Sequence, residues 1–378
     1  MRLEPAVPET ALAAIRAPFA ALGATPTDPP VIQPLGLLLD LAGEAMHARL
    51  FVVQGQGGEE SCLRPDFTIP VAREHIASGA AEGRYTYEGR AFRVSPVGAD
   101  HAEEFLQIGL EAFGDVRIAE ADAEVASLAW RASIAGGRDD LTLRLGDVGL
   151  YRAFIVALGL AEPLTAKLTR AFSRPRTLGA ELDRAQADAP EAERQGDRIS
   201  PLLADLPEAE AAAVLQDLWA LAGIQPVGGR TAAEIAHRLI ERSTAAKAPP
   251  LTAAEAGLIR RYLEIADSPR AALSRIDALA KEGGLDLDGA LDAWSLRLDA
   301  LEAAGAPPER MTLATGFGRA FGYYDGVLFE VHSAALGDAP VAGGGRYDAL
   351  PARLGGCGQP GAVGCMVRPA RAWSGAPA

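Results

Sequence analysis

The strongest constraint on the fold is how periodicity changes along the chain. Residues 1–150 mix helical and strand-like stretches, residues 151–305 read almost wholly as helix, and residues 306–378 return to strands and glycine turns. In the first stretch Glu9 to Leu22 predicts a helix. Leu141, Leu143 and Leu145 alternate there with Thr142 and Arg144, the period of two that a strand imposes. Gln107 and Glu111 share a face on either a helix or a strand. Gly109 between them weakens a helix, so Glu104 to Phe113 reads as a strand that a ligand approaches closely. In the middle, Leu287, Leu291, Trp294, Leu298 and Leu301 recur at helical spacing, with Gly305 as C-cap and Pro307-Pro308 as stop. Gly228-Gly229 and Pro249-Pro250 mark loops between neighbouring helices. In the last stretch a strand is expected from Tyr323 to His332. Tyr323, Asp325, Val327, Phe329 and Val331 would share one face, and Tyr324, Gly326, Leu328, Glu330 and His332 the other. Gly343-Gly344-Gly345 predicts a flexible turn before Arg346 and Tyr347.

Bulk properties remove several function classes. A chain of 378 residues suggests about two domains. The formal charge of −14, with no Lys/Arg-rich run, argues against a protein whose main task is gripping nucleic acid. Cys62, Cys357 and Cys365 are odd in number and form no Cys-x-x-Cys pair, so no disulfide framework is expected and a reducing cytoplasm fits. Met1 to Ala24 lacks the apolar centre of a signal peptide. The most apolar run, Leu35 to Ala42, is broken by Asp40 and falls far short of the ~20 residues a membrane helix needs. His47, His75, His101, His237 and His332 are scattered, so no metal site is expected. Gly356 to Gly361 matches Gly-x-Gly-x-x-Gly in form only. Too little chain follows for a dinucleotide fold and Pro360 disfavours the required helix, so it reads as a turn and no cofactor is expected.

Four segments carry the chemistry: Leu63 to Thr68, Tyr87 to Arg93 with Glu104 to Glu111, Gly318 to Glu330, and Gly344 to Asp348. Together they offer the carboxylates Asp66 and Glu111, the amide Gln107, the hydroxyl of Thr68, several tyrosines and Arg319. A free amino acid needs acceptors for its ammonium and an arginine for its carboxylate. An imidazole adds a donor that Glu111 can accept. From residue types alone, ion-paired or solvated side chains on a sheet edge account equally well for the set.

Order and spacing decide between these readings. Leu63-Arg64-Pro65-Asp66-Phe67-Thr68, the motif ending in Phe92-Arg93, and the 18 residues from there to Glu111 resemble signature blocks of histidyl-tRNA synthetases. So do Gly318 to Glu330 and Gly344-Gly345-Arg346-Tyr347-Asp348. The resemblance covers about 31–115 and 306–366. It implies an α+β class II synthetase core, an antiparallel sheet flanked by helices, formed by residues 1–150 and 306–378. Residues 151–305 would be a helical insertion, with no anticodon-binding domain. It also implies a histidine site. Asp66, Thr68 and Gln107 would face the ammonium, Glu111 and Tyr324 the imidazole, and Arg319 the carboxylate; Tyr323 and Tyr347 would line the pocket. Arg93 matches the arginine that holds ATP phosphate. The segment Val31 to Gly43, marked by Pro34, would dimerise the core.

The departures are as informative. Where synthetases place basic residues after Arg93, this chain has Asp100, His101 and Glu103, and negative charge opposes a triphosphate. Val363 to Pro369 lacks the family's Glu-Arg pair, and Pro369 is expected to disturb the helix there. A retained amino-acid pocket beside a damaged nucleotide site is similar to one paralogous family, the regulatory subunits of short-form ATP phosphoribosyltransferase. That resemblance implies a non-catalytic protein in histidine biosynthesis. It would pair with the short catalytic subunit and bind histidine as feedback signal, without nucleic acid or membrane. The alternative is an enzyme that activates histidine as an adenylate without tRNA, which Arg93 and Arg319 keep open.

Overall fold

The computed structural model describes residues 2–375 except 43, 56, 59, 97, 100, 173, 187–205, 223–234, 236–248, 320 and 357–360. The calls made on Gly228-Gly229, His237, Val97, Asp100, Ala320 and Cys357 to Pro360 lie outside the described residues. Met1–Phe154 and Arg261–Ala378 form one compact unit, and Ile155–Arg260 a second.

The first unit is built on a nine-stranded sheet. Its strands are β1 (Thr25–Pro26), β5 (Gly83–Phe92), β6 (Glu104–Phe113), β7 (Leu141–Asp147), β8 (Ala266–Asp267), β9 (Met311–Ala314), β10 (Val327–Ser333), β11 (Ala342–Arg346) and β12 (Val363–Val367). They lie in the order β1-β5-β6-β12-β11-β10-β7-β9-β8. The sheet is mixed rather than wholly antiparallel: β1 pairs with β5, and β7 with β9, in parallel. A small antiparallel sheet joins β2 (Ile32–Pro34), β4 (Glu60–Leu63) and β3 (Val52–Gln54).

The helix Ile118–Ala135 packs across β10, β11 and β12. Its buried positions Ala121, Val125, Leu128, Ala129 and Ala132 follow helical spacing. Three of the five are alanine, so the helix axis can approach the sheet closely. The helix Asp288–Ala303 packs on the other side of Ile118–Ala135 and buries Trp294, Leu298 and Leu301. Each such large apolar side chain contributes about 1.5–3 kcal/mol. Gly305 ends that helix at φ 89°, as its position predicts. Asp122 is buried between two arginines, at 2.7 Å from Arg297 Nε and 2.8 Å from Arg346 Nη2. Removing either arginine would leave the carboxylate under-compensated.

Three expectations change. The strand after Gly322 begins at Val327, so Tyr323 to Gly326 are not strand and the alternation of faces does not reach them. Gly343-Gly344-Gly345 is no turn but the buried centre of β11. A Cβ on Gly344 would lie 2.1 Å from the Gly364 carbonyl oxygen and 2.6 Å from the Phe329 ring, so only glycine fits. Pro369 does not disturb the helix it precedes; it is the first residue of Pro369–Ala372, where its missing N–H costs nothing.

The second unit is helical where described, with Glu162–Ala171, Pro175–Gln186 and Glu208–Ala222. Leu168, Phe172, Leu178 and Leu182 are among its buried side chains. Among the described residues no helix is long and apolar enough to cross a membrane.

Candidate functional site

The sheet's register builds the site. Gln107, Gly109 and Glu111 lie on one face of β6, two residues apart. Opposite them on β12, Gly364 pairs with Glu111; a Cβ there would lie 1.7 Å from Glu111 Oε2. Opposite them on β5, Tyr87 pairs with Gly109. The Tyr87 ring fills the space over Gly109, which a Cβ would enter at 2.3 Å. The close approach expected at Gly109 is therefore made by a neighbouring tyrosine and the Cys365 carbonyl, not by a ligand.

Three hydroxyls converge on Glu111. Thr68 Oγ1 donates to Oε1 at 2.8 Å, Tyr87 Oη to the same oxygen at 3.4 Å, and Tyr347 Oη to Oε2. Burial nevertheless pushes the Glu111 carboxyl up to about 8, against the pull of these donors and with help from the charge of Asp66. Asp66 is raised as well, again by burial, while Arg93 and the hydroxyl of Tyr323 pull it down. Tyr323 Oη donates to Asp66 Oδ2 at 2.7 Å. Arg319 Nη1 donates to Tyr324 Oη at 3.2 Å, and its Nε lies 3.2 Å from Glu330 Oε1.

Asp66, Thr68, Arg93, Gln107, Glu111, Arg319, Tyr323 and Tyr324 thus line one cavity. Tyr347 stands behind Glu111 instead, on its far oxygen. Sequence reasoning missed Tyr87, Phe321, Gly343, Gly364, Cys365 and Met366 on the same walls. Tyr87 carried a readable signal, because a glycine opposite a large ring is how a strand makes room for it.

Two residues stand out among the walls. Both polar atoms of the Gln107 amide, and Oδ1 of Asp66, are buried without a hydrogen-bond partner. Such atoms normally find partners, so their clustering on one cavity marks where a polar ligand would supply them. The cavity is tight, with about 10 Å³ open to a water centre, near the volume one water requires. A roomier cleft of about 490 Å³ lies between Glu82–Arg84, Gly114–Arg117 and Glu124. Its arginines already have carboxylate partners, Arg84 with Glu124 at 2.6 Å and Arg117 with Asp115 at 2.9 Å. We place the site by its convergent unpartnered groups rather than by volume.

The family model for histidyl-tRNA synthetase matches residues 6–227 and 233–370. An ATP phosphoribosyltransferase regulatory subunit of Brucella canis is 37% identical over 350 residues, covering 91% of both chains; that of Brucella suis matches equally. The chain belongs to the histidyl-tRNA synthetase-like family of ATP phosphoribosyltransferase regulatory subunits. Two solved structures share the family fold. One is an ATP phosphoribosyltransferase regulatory subunit/histidyl-tRNA synthetase from Bacillus halodurans, with TM-score 0.66 and 22% identity, covering 99% of this chain and 82% of that one. The other is a histidine–tRNA ligase subunit from Alicyclobacillus acidocaldarius, with TM-score 0.55 and 20% identity, covering 98% and 94%. At these identities they speak for the fold alone, a class II synthetase core.

Proposed function

We propose that the chain is a non-catalytic subunit that assembles with a short ATP phosphoribosyltransferase catalytic subunit and reports free histidine to it. Kinship along nearly the whole length of regulatory subunits carries the regulatory role. The unpartnered Gln107 Oε1 and Asp66 Oδ1 support the ligand reading, since an ammonium donates to acceptors of this kind. Glu111 would accept from the imidazole, with Tyr324 beside it, and Arg319 would face the carboxylate.

The tight cavity adds a condition to this reading. A histidine molecule exceeds one water, so binding has to move wall side chains, Phe321 and Tyr324 among them, on the loop before β10. Ligand-driven rearrangement is what a feedback signal requires: a ligand shifts a partner only by binding two states unequally. Self-association through the Val31–Ala42 region, with Ile32 and Val52 exposed on the small sheet, belongs to the same proposal.

Co-expression with a short catalytic subunit tests the assignment. The expected result is a co-purifying complex with phosphoribosyl transfer inhibited by histidine. ATP–pyrophosphate exchange dependent on histidine is expected to be absent; robust exchange would favour the adenylate-forming alternative.

A further inference from the structure

Beside the amino-acid cavity lies a second buried compartment, made of arginines. Arg93 and Arg368 flank the ring of Phe105, their guanidinium carbons 5.2 and 3.8 Å from its centre. Arg371 follows on the helix Pro369–Ala372. Arg49 lies near enough for its charge to act on Arg93 and Arg371, its Nε donating to the Val94 carbonyl at 3.3 Å and its own carbonyl accepting from Val94 N–H at 2.9 Å. Burial lowers the Arg368 guanidinium to about 9 and that of Arg93 to about 10, and repulsion from neighbouring arginines adds to both. Cations held this far from water need an anion.

Asp66 faces Arg93, and for Arg368 and Arg371 the anion is Glu4. Glu4, only 7% exposed, sets Oε1 against Arg368 Nη2 and 3.7 Å from Arg371 Nε. The fit is electrostatic rather than geometric. Glu4 Oε2 and the Nε group of Arg368 are buried with no hydrogen-bond partner, while Nη2 of Arg368 faces Glu4 Oε1. A planar carboxylate leaves that Nε donor over, whereas a tetrahedral anion with three free oxygens has an acceptor to spare for it.

The segment carrying Glu4 is fastened at both ends of Arg2. The Arg2 carbonyl accepts from the N–H groups of Glu103 and Glu104 at 2.9 and 3.1 Å. Arg2 N–H donates to Glu103 Oε2 at 3.2 Å, and Arg2 Nη1 to the Ala99 carbonyl at 3.0 Å. Glu4 N–H reaches the Glu104 carbonyl at 3.4 Å. Glu103, which the sequence presents as an acidic departure after Arg93, thus also anchors this strap.

We propose that Glu4 is a tethered occupant of an anion site formed by Arg49, Arg93, Arg368 and Arg371, and that the strap Arg2–Glu4 keeps phosphate-bearing ligands out of it. This goes beyond the histidine reading and does not depend on it. The test is calorimetry of inorganic pyrophosphate and, separately, of ATP on the full chain and on Glu4→Gln, which keeps the side chain's shape and removes its charge. Glu4→Gln is expected to bind pyrophosphate at least tenfold more tightly than the unmodified chain, and Glu4→Gln with Arg368→Ala is expected to lose that gain. Pyrophosphate without ATP identifies a site for the free anion; both together identify one for nucleotide phosphates. If Glu4→Gln is unfolded in plain buffer, pyrophosphate is expected to restore its folded spectrum where sodium chloride of equal ionic strength does not. Equal affinity in the two proteins, or an unfolded variant that pyrophosphate fails to rescue, overturns the proposal.

Discussion

The amino-acid cavity and the arginine compartment share Arg93 and differ in what completes them. The cavity has hydroxyls already aimed at Glu111, yet leaves Asp66 Oδ1 and the Gln107 amide without partners. In the compartment Arg368 and Arg371 meet the charge of Glu4 from within the chain. On the readings proposed above, a site whose ligand arrives from outside leaves polar groups waiting, and a site closed to ligands supplies the counter-charge itself. The two sites therefore carry different physical signatures.

Breaking the sheet behind the cavity should have the largest effect. Gly344→Ala drives a methyl into the Gly364 carbonyl and the Phe329 ring, neither of which can retreat, and is expected to cost about 3 kcal/mol in chemical denaturation. Gly343→Ala is the control. Its methyl would first meet the guanidinium of Arg319 at 2.8 Å, the far end of a side chain rather than backbone, so stability should fall by less than about 1 kcal/mol while histidine affinity drops. Equal destabilisation by both would show that β11 does not discriminate backbone from side-chain contacts.

Next in size is Glu111→Ala. It strands the hydroxyls of Thr68, Tyr87 and Tyr347 and removes the acceptor proposed for imidazole. Histidine affinity by calorimetry should fall about 30–100-fold, the equivalent of about 2–3 kcal/mol. Unchanged affinity would move the feedback site elsewhere, to the subunit interface first.

The smallest expected effect is a slope with pH. The Glu111 carboxyl sits at about 8 in the folded chain, against an ordinary 4.5. Between those values the folded state holds a proton that the unfolded state has released. Its contribution to stability is therefore complete below 4.5 and is lost as pH rises through about 8. Denaturation of the parent and of Glu111→Gln across that range should show the parent's stability falling more steeply with pH. Parallel curves would mean that the three hydroxyls outweigh burial.

Much of this architecture was legible because periodicity reports burial. The leucines of β7 and the stripe from Leu287 to Leu301 read correctly, since each pattern has one geometry that buries it. The three glycines of β11 misled because glycine signals either a turn or a place where something lies too close for a Cβ. Only the opposing strand, distant in sequence, tells which. The same ambiguity assigned the space over Gly109 to a ligand when Tyr87 fills it. Tyr323 and Tyr324 alternate as a strand would, but both line the cavity from a loop, because neighbours without strand pairing need not point to opposite faces. The strap from Arg2 to Glu4 gave no signal: its role depends on arginines up to 367 residues away.

Because Gly343 and Gly364 line the cavity, part of its surface is bare main chain. Substitution can reshape a wall of tyrosines and carboxylates, but at Gly364, where a Cβ would lie 1.7 Å from Glu111 Oε2, a side chain finds no room. Retuning the cavity toward another small molecule therefore falls to the loop before β10 and to the face of β6.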